Sequence, residues 1–262
     1  MDVDKRLVPI AIALTFCSGA MDVASFTRLG GVFTSVMTGN IVLLGLSIAR
    51  GSVSLLLHTV TAICGYMAGV AGATRFVLST GADRPAADRP GGFTARVRMA
   101  LLVELVLLCG VAVGWEVSGA QPTGLAQFTL LAVGAAAMGT QSATVQQMGL
   151  TSVSTTFLTG TLTGLVGSLA RPGRAREGLL RPGVLLGLLT GAVLSGLLVS
   201  QLAMAVPVLF VGAIVAVHIL GARLLRDRPA AAASRPGAEG PVPSGQPGTG
   251  GPVSDGQQGA GQ

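Results

Sequence analysis

The sequence predicts an all-α integral membrane protein with about six transmembrane helices, two short or broken segments and two inverted repeats. Half of the 262 residues are hydrophobic and only 11% are charged, whereas a soluble domain carries about a quarter charged residues. The apolar residues form runs that approach the ~20 residues needed to cross a bilayer. Arginines separate these runs, as they do in the cytoplasmic loops of membrane proteins.

Eight apolar segments follow one another along the chain. Because backbone in lipid must satisfy its own hydrogen bonds, we predict that each segment is helical. The segments are 7–26, 33–49, 53–78, 98–117, 124–148, 155–170, 183–201 and 202–225. Together they form a membrane domain, residues 1–227. Residues 228–262 are rich in Ala, Gly, Pro, Ser and Gln, and we predict a disordered cytoplasmic tail.

The positions of the arginines indicate how many segments cross the membrane. Three clusters separate or follow the segments: Arg75, Arg84, Arg89 and Arg96; Arg171, Arg174, Arg176 and Arg181; Arg223, Arg226 and Arg228. If all eight segments crossed, the first two clusters would lie on opposite faces, against the positive-inside rule. If 33–49 and 155–170 enter without crossing, all three clusters and both termini are cytoplasmic. We therefore prefer six spans.

The second half of the chain repeats the first. The matched stretches are Met37–Asn40 with Leu158–Thr161 and Ser47–Arg50 with Ser168–Arg171 at a shift of 121, Gly65–Gly69 with Gly187–Gly191 at 122, and Ala20–Asp22 with Thr140–Ser142 at 120. Repeat one covers about 7–118 and repeat two about 124–225. Three spans in each repeat would invert the second copy relative to the first. Inverted repeats are common among secondary transporters.

A Thr-Gly motif interrupts an apolar run in each half. A glycine lets a helix break or another backbone approach, and the neighbouring hydroxyl or amide groups can bind a ligand. The alternative is helix packing by small and hydroxyl residues. If the site is real, Gly39 and Gly160 should approach each other near mid-membrane. The predicted binding residues of the two motifs are Thr38, Gly39, Asn40, Thr159, Gly160 and Thr161.

Two acidic residues lie well within apolar segments, which makes them candidates for function. Asp22 precedes the first short segment, and we expect it to face the site; its alternative is contact with water at the membrane edge. Glu104 is the reserve candidate, and its alternatives are snorkelling or pairing with Arg98 or Arg28.

A polar cluster of Gln141, Ser142, Gln146 and Gln147 closes the fifth segment. We interpret it as a helix end at the membrane interface rather than a part of the site opposite Asp22.

The sequence lacks the patterns of common catalytic and metal sites. No Ser-His-Asp arrangement, His-Glu-x-x-His motif or phosphate-binding loop is present, and Cys17, Cys64 and Cys109 are isolated, so we expect no enzyme activity, metal or cofactor. His58 and His218 are interpreted as packed or interfacial. The net charge of +6 comes from arginines in loops, which argues against nucleic acid. The expected partners are the lipid bilayer and an unknown small solute or ion, and a homo-oligomer is left open.

Several motifs resemble a known family. They are Gly19–Phe26, Met37–Asn40, Met138–Ala143 and Thr155–Leu162. In these stretches the chain is similar to the YoaK-type family of bacterial inner-membrane proteins, a family of unknown function. The resemblance implies location in the inner membrane but no substrate. Ser142 stands where the family's pattern has an amide residue, which weakens a ligand role for that position.

Two functions are compatible with these observations. The first is transport of a small solute or ion through a site at the repeat interface. The second is a non-transporting assembly protein or lipid-interacting scaffold, which the Gly65-x-x-x-Gly69 and Gly187-x-x-x-Gly191 packing motifs favour. A polar cavity joining Asp22 to both Thr-Gly motifs would favour transport.

Overall fold

The computed structural model describes residues 7–78, 94–148, 162–163 and 180–233, and these residues contain helices and no strands. In chain order the elements are α1 (Val8–Arg28), α2 (Met37–Ala49), α3 (Val53–Gly72) with a π-helical turn (Ala73–Leu78), α4 (Ala95–Val117), α5 (Gly124–Gln147), α6 (Leu180–Gln201), a 3₁₀ turn (Ala203–Ala205) and α7 (Val206–Ala233).

Six of these helices are long and apolar enough to cross a membrane, namely α1 and α3 to α7. This confirms the predicted all-α membrane fold with six spanning helices. Helix α2 has 13 residues, so it is about 20 Å long and shorter than a hydrocarbon core of about 30 Å. The other predicted short segment, 155–170, lies outside the described residues except for 162–163.

Local sequence signals explain where the helices begin and end. Pro9 lies in the first turn of α1, where its missing N–H group is not needed. The side chains of Ser52 and Thr94 accept hydrogen bonds from the first turns of α3 and α4. Gly30 follows α1 with φ of +99°, a conformation that favours glycine, and it releases the chain toward α2.

Helix α3 packs in parallel against α5 through glycines. A Cβ atom added to Gly65 would lie 2.6 Å from the carbonyl oxygen of Ala132, and one added to Gly69 would collide with the carbonyl of Ala136. The residue numbers of the contacting residues increase together along both helices, so the helices run in the same direction. Larger side chains would separate the two backbones.

Helix α6 packs against α1 in the same manner. A Cβ atom on Gly187 would lie 2.9 Å from the carbonyl oxygen of Ile12, and one on Gly191 would collide with the carbonyl of Phe16. These positions also rise together, so α1 and α6 are parallel. The two Gly-x-x-x-Gly motifs found in the sequence are therefore packing motifs.

Helices α1 and α5 cross in antiparallel fashion at the centre of the bundle. The Gln141 side chain of α5 donates to the Leu14 carbonyl of α1 over 2.9 Å, and the Met21 side chain of α1 reaches Gly134 of α5. Both helices are mostly buried, whereas the four other spanning helices expose large apolar side chains. Those exposed faces are where lipid would lie.

Helix α7 continues to Ala233, so the first residues of the predicted tail, 228–233, are helical. The remainder of that tail, 234–262, lies outside the described residues. The chain divides by its internal contacts into two units, residues 1–228 and 229–262.

Candidate functional site

Asp22 anchors the segment that leads into α2. Its Oδ1 atom accepts hydrogen bonds from the N–H of Thr34 (2.8 Å), the hydroxyl of Thr34 (3.0 Å) and the N–H of Ser35 (2.8 Å). Its Oδ2 atom accepts one from the Ser35 hydroxyl over 2.5 Å. Asp22 is only 6% exposed. Four donors therefore satisfy this buried carboxylate, and the bonds fix α1 to the residues before α2.

Asn40 stabilises the same segment from the other side. Its Oδ1 atom accepts from the N–H of Phe33 (2.9 Å) and its Nδ2 group donates to the carbonyl of Phe33 (2.6 Å). Gly39 makes room for the Phe33 ring, 3.2 Å from where a Cβ would be. Thr38 is exposed. In the first Thr-Gly motif, the amide and the glycine thus organise the turn before α2.

The second Thr-Gly motif, Thr159, Gly160 and Thr161, lies outside the described residues. The predicted approach of Gly39 to Gly160 therefore remains a prediction.

Glu104 has an environment opposite to that of Asp22. It lies in the middle of α4 with no exposed surface, and neither carboxyl oxygen has a hydrogen-bond partner among the residues that the structure describes. The Arg28 side chain instead donates to the Val199 carbonyl over 3.2 Å, and Arg98 is exposed. The pairing of Glu104 with either arginine, one of the alternatives from the sequence, is absent.

Gln141 is the polar residue that the sequence interpretation misplaced. It is buried, as is Ser142, whereas Gln146 and Gln147 are exposed. Its Nε2 group donates to the Leu14 carbonyl (2.9 Å) and the Ser18 hydroxyl (3.0 Å), while its Oε1 atom is buried without a partner in the described part of the chain. Only the end of this cluster therefore lies at a surface.

Glu104 and Gln141 face the same region of the bundle. Helices α4 and α5 are antiparallel, and the Leu130 side chain of α5 reaches Gly114 of α4, which places Glu104 level with residues near 140. Gly134 of α5 lies between Met21 of α1 and Val111 of α4. Two turns further along these antiparallel helices, seven residues in each, Gln141 takes the position of Gly134 and Glu104 that of Val111. The two unpartnered groups therefore lie on the facing sides of α5 and α4.

A separate polar network joins three helix ends. In His58 of α3, the Nδ1 atom is 2.7 Å from the Ser54 carbonyl oxygen, and the Nε2 atom is 3.1 Å from Oε1 of Gln127. Gln127 of α5 donates in turn to the Arg28 carbonyl at the end of α1 over 3.0 Å. His58 also stacks on Phe128. The interpretation of His58 as a packed residue agrees with these contacts, but its partner Gln127 had no signal in the sequence.

Comparisons with known proteins identify the family. The model of a family described as "Protein of unknown function (DUF1275)" matches residues 10–221. The chain is 32% identical over 153 residues to the UPF0700 transmembrane protein YoaK of Bacillus subtilis (strain 168), an alignment that covers 58% of this chain and 63% of that protein. No solved structure matches significantly. Because the family model matches most of the chain, this multi-pass membrane protein belongs to the DUF1275 family.

Proposed function

We propose that this protein transports a small solute or ion across the bacterial inner membrane through a site between two inverted repeats. The observation that supports this most strongly is that α1 and α5 make equivalent contacts at both ends of their crossing. In the repeat, Leu14 corresponds to Gly134 and Met21 to Gln141, each at a shift of 120 positions. The contact of Leu14 with Gln141 is therefore equivalent to the contact of Gly134 with Met21. Antiparallel helices with exchanged contacts fit a two-fold axis in the membrane plane.

The glycine contacts follow the same exchange. Gly69 of α3 meets the carbonyl of Ala136 in α5, and Gly191 of α6 meets the carbonyl of Phe16 in α1. The glycines differ by 122 positions and their partners by 120, which are the shifts that relate the two halves of the sequence. The pair α3 and α5 thus corresponds to the pair α6 and α1.

A third matched contact uses glycines of the central helices. Gly139 of α5 meets the carbonyl of Tyr66 in α3, and Gly19 of α1 meets the carbonyl of Leu188 in α6. Gly19 and Gly139 again differ by 120 positions, and their partners Tyr66 and Leu188 differ by 122. Matched contacts at the same shifts in three places support inverted repeats over coincidental glycine packing.

This architecture suits transport because one repeat can rock against the other and open the interface between them to either side in turn. In this proposal both termini are cytoplasmic, the lipid bilayer surrounds the bundle, and the protein catalyses no chemical reaction. The site lies where α4 meets the crossing of α1 and α5, because Glu104 of α4 and Gln141 of α5 have unpartnered atoms in the described region.

The direct test is uptake by the purified protein in proteoliposomes. A library of metabolites and ions is first screened for compounds that raise the thermal unfolding midpoint, and each compound found is then loaded as a radiolabelled solute. We expect saturable uptake that protein-free liposomes lack. If no compound stabilises the protein or enters the vesicles, the transport proposal fails.

A non-transporting scaffold is the second candidate, and one observation favours it. The side chains of Asp22 and Asn40 both hydrogen-bond to residues 33–35, in the segment before α2. These bonds suit the α2 region to a rigid structural role. A scaffold would show no uptake in the same vesicles, and it would co-purify with a stoichiometric membrane partner.

A further inference from the structure

We infer that Glu104 and the Oε1 atom of Gln141 form a binding site for a monovalent cation, either a proton or an alkali ion, in the interior of the bundle. The inference deepens the proposed function, because it names the class of the transported or coupling ion. Binding itself can be measured without transport.

The first argument is that the buried Glu104 carboxyl group has no hydrogen-bond or charge partner among the described residues. An ionised carboxylate without a partner in a low-dielectric interior costs several kcal/mol. Glu104 is fully buried and unpartnered among the described residues. Of the two arginines that the sequence offered as partners, Arg28 binds the Val199 carbonyl and Arg98 is exposed. A bound proton or cation removes that cost.

The second argument is the orientation of the Gln141 amide. Both hydrogens of its Nε2 group are used by two acceptors, the Leu14 carbonyl and the Ser18 hydroxyl. A flipped amide would place Oε1 against the Leu14 carbonyl, so the hydrogen-bond network assigns Oε1 as the free atom. The free atom is therefore an acceptor, which binds a cation or a donor and repels an anion.

The third argument is the number and type of the free atoms. Glu104 supplies two oxygens and Gln141 a third, and within the described residues no three His, Cys, Asp or Glu side chains group together. Transition metals and Zn²⁺ prefer clusters of imidazole, thiolate and carboxylate ligands. A single negative charge with neutral oxygens instead matches a monovalent cation.

The test is the thermal unfolding midpoint of the purified full-length protein as a function of ion conditions. One series lowers the pH in choline buffer, and a second adds Na⁺ or K⁺ at fixed pH. We expect one of them to raise the midpoint by about 5 °C, the shift that a saturating ligand gives a chain of this size. The series that responds distinguishes a proton from an alkali ion.

Glu104→Gln should abolish this response, because the amide removes the negative charge while keeping the shape of the side chain. The matched control is Glu116→Gln, which changes an exposed acid at the end of the same helix and should respond like wild type. Gln141→Leu should weaken an alkali-ion response at least tenfold in concentration, and it remains informative if Glu104→Gln fails to fold.

The inference is overturned if wild type responds to neither series, or if Glu104→Gln and Gln141→Leu both respond like wild type. A cation response without uptake in proteoliposomes would reject transport and keep the site. If both the uptake and the cation response are unchanged in Glu104→Gln, transport is kept and the site is rejected.

Discussion

Asp22 and Glu104 show how one chemical group takes two roles inside a membrane domain. Four donors from Thr34 and Ser35 surround the Asp22 carboxylate, whereas the Glu104 carboxyl group has no partner in the described residues. The sequence ranked Asp22 first because it precedes the short segment. The contacts show that Asp22 anchors that segment to α1, whereas the Glu104 carboxyl group is available for a ligand.

Asp22→Ala should destabilise the protein strongly. The substitution leaves the buried donors of Thr34 and Ser35 without an acceptor, and each unmet donor costs about 1–3 kcal/mol. For a chain of this size, a loss of several kcal/mol in the free energy of unfolding lowers the thermal unfolding midpoint by about 10 °C or more. Asp22→Asn retains one acceptor oxygen, so its midpoint should fall less. The control, Glu116→Ala, changes an exposed acid; an equal loss there would contradict the assignment.

Gln127→Leu should loosen the end of the bundle where α1, α3 and α5 meet. The substitution removes the hydrogen bonds to His58 and to the Arg28 carbonyl, at a cost of about 1–3 kcal/mol. Gln121→Leu is the matched control because Gln121 is exposed in the loop before α5. Hydrogen exchange of the amides near Gly30 measures the effect, and exchange that stays at the wild-type rate would refute this role.

At the scale of helices, glycine positions decide which faces pack. A Cβ atom on Gly69 or Gly191 would collide with the backbone of the neighbouring helix, but one on Gly72 or Gly110 would meet nothing within 4 Å. The sequence identified Gly69 and Gly191 by their spacing. It could not identify their partner helices, because a Gly-x-x-x-Gly motif specifies a close approach and not which helix approaches.

Gly69→Ala and Gly191→Ala should each lower the free energy of unfolding by about 1–3 kcal/mol, the usual cost of overpacking. If the repeats are equivalent, the two losses should be similar. Gly72→Ala and Gly110→Ala have room for the added methyl group and should be neutral or slightly stabilising, since alanine favours the helix by about 0.8–1.0 kcal/mol. Thermal unfolding in detergent compares the four variants. A loss at Gly72 equal to that at Gly69 would contradict the packing argument.

At the scale of the molecule, the spanning helices were predictable and the site only in part. Long apolar runs and arginine clusters predict α1 and α3 to α7 directly, because hydrophobic length is a local property of the chain. The burial of Gln141 was not predictable, since it depends on α5 crossing α1 at Leu14 and Ser18. The partners of Asp22 were likewise hidden, because a turn between two helices brings them together.

We predict the membrane topology from the length of α2 and the positions of the arginines. Thirteen residues place the two ends of α2 about 20 Å apart at most, too short for the hydrocarbon core. We therefore expect the end of α1 and the turn after α2 to lie on the same side, outside the cell. Six spans then leave the loop around Arg84 in the cytoplasm, as the positive-inside rule requires.

Single cysteines in a background without Cys17, Cys64 and Cys109 test this arrangement with a membrane-impermeant maleimide on intact cells. Thr27→Cys and Arg50→Cys, both at exposed positions, flank α2 and should be labelled from the same, outer side. A cysteine at Ala86 should react only after the membrane is opened, because its loop is cytoplasmic in the six-span arrangement. If all eight segments crossed, Thr27→Cys and Arg50→Cys would lie on opposite sides. Labelling of only one of this pair from outside would therefore refute the six-span topology, and with it the inverted orientation of the two halves.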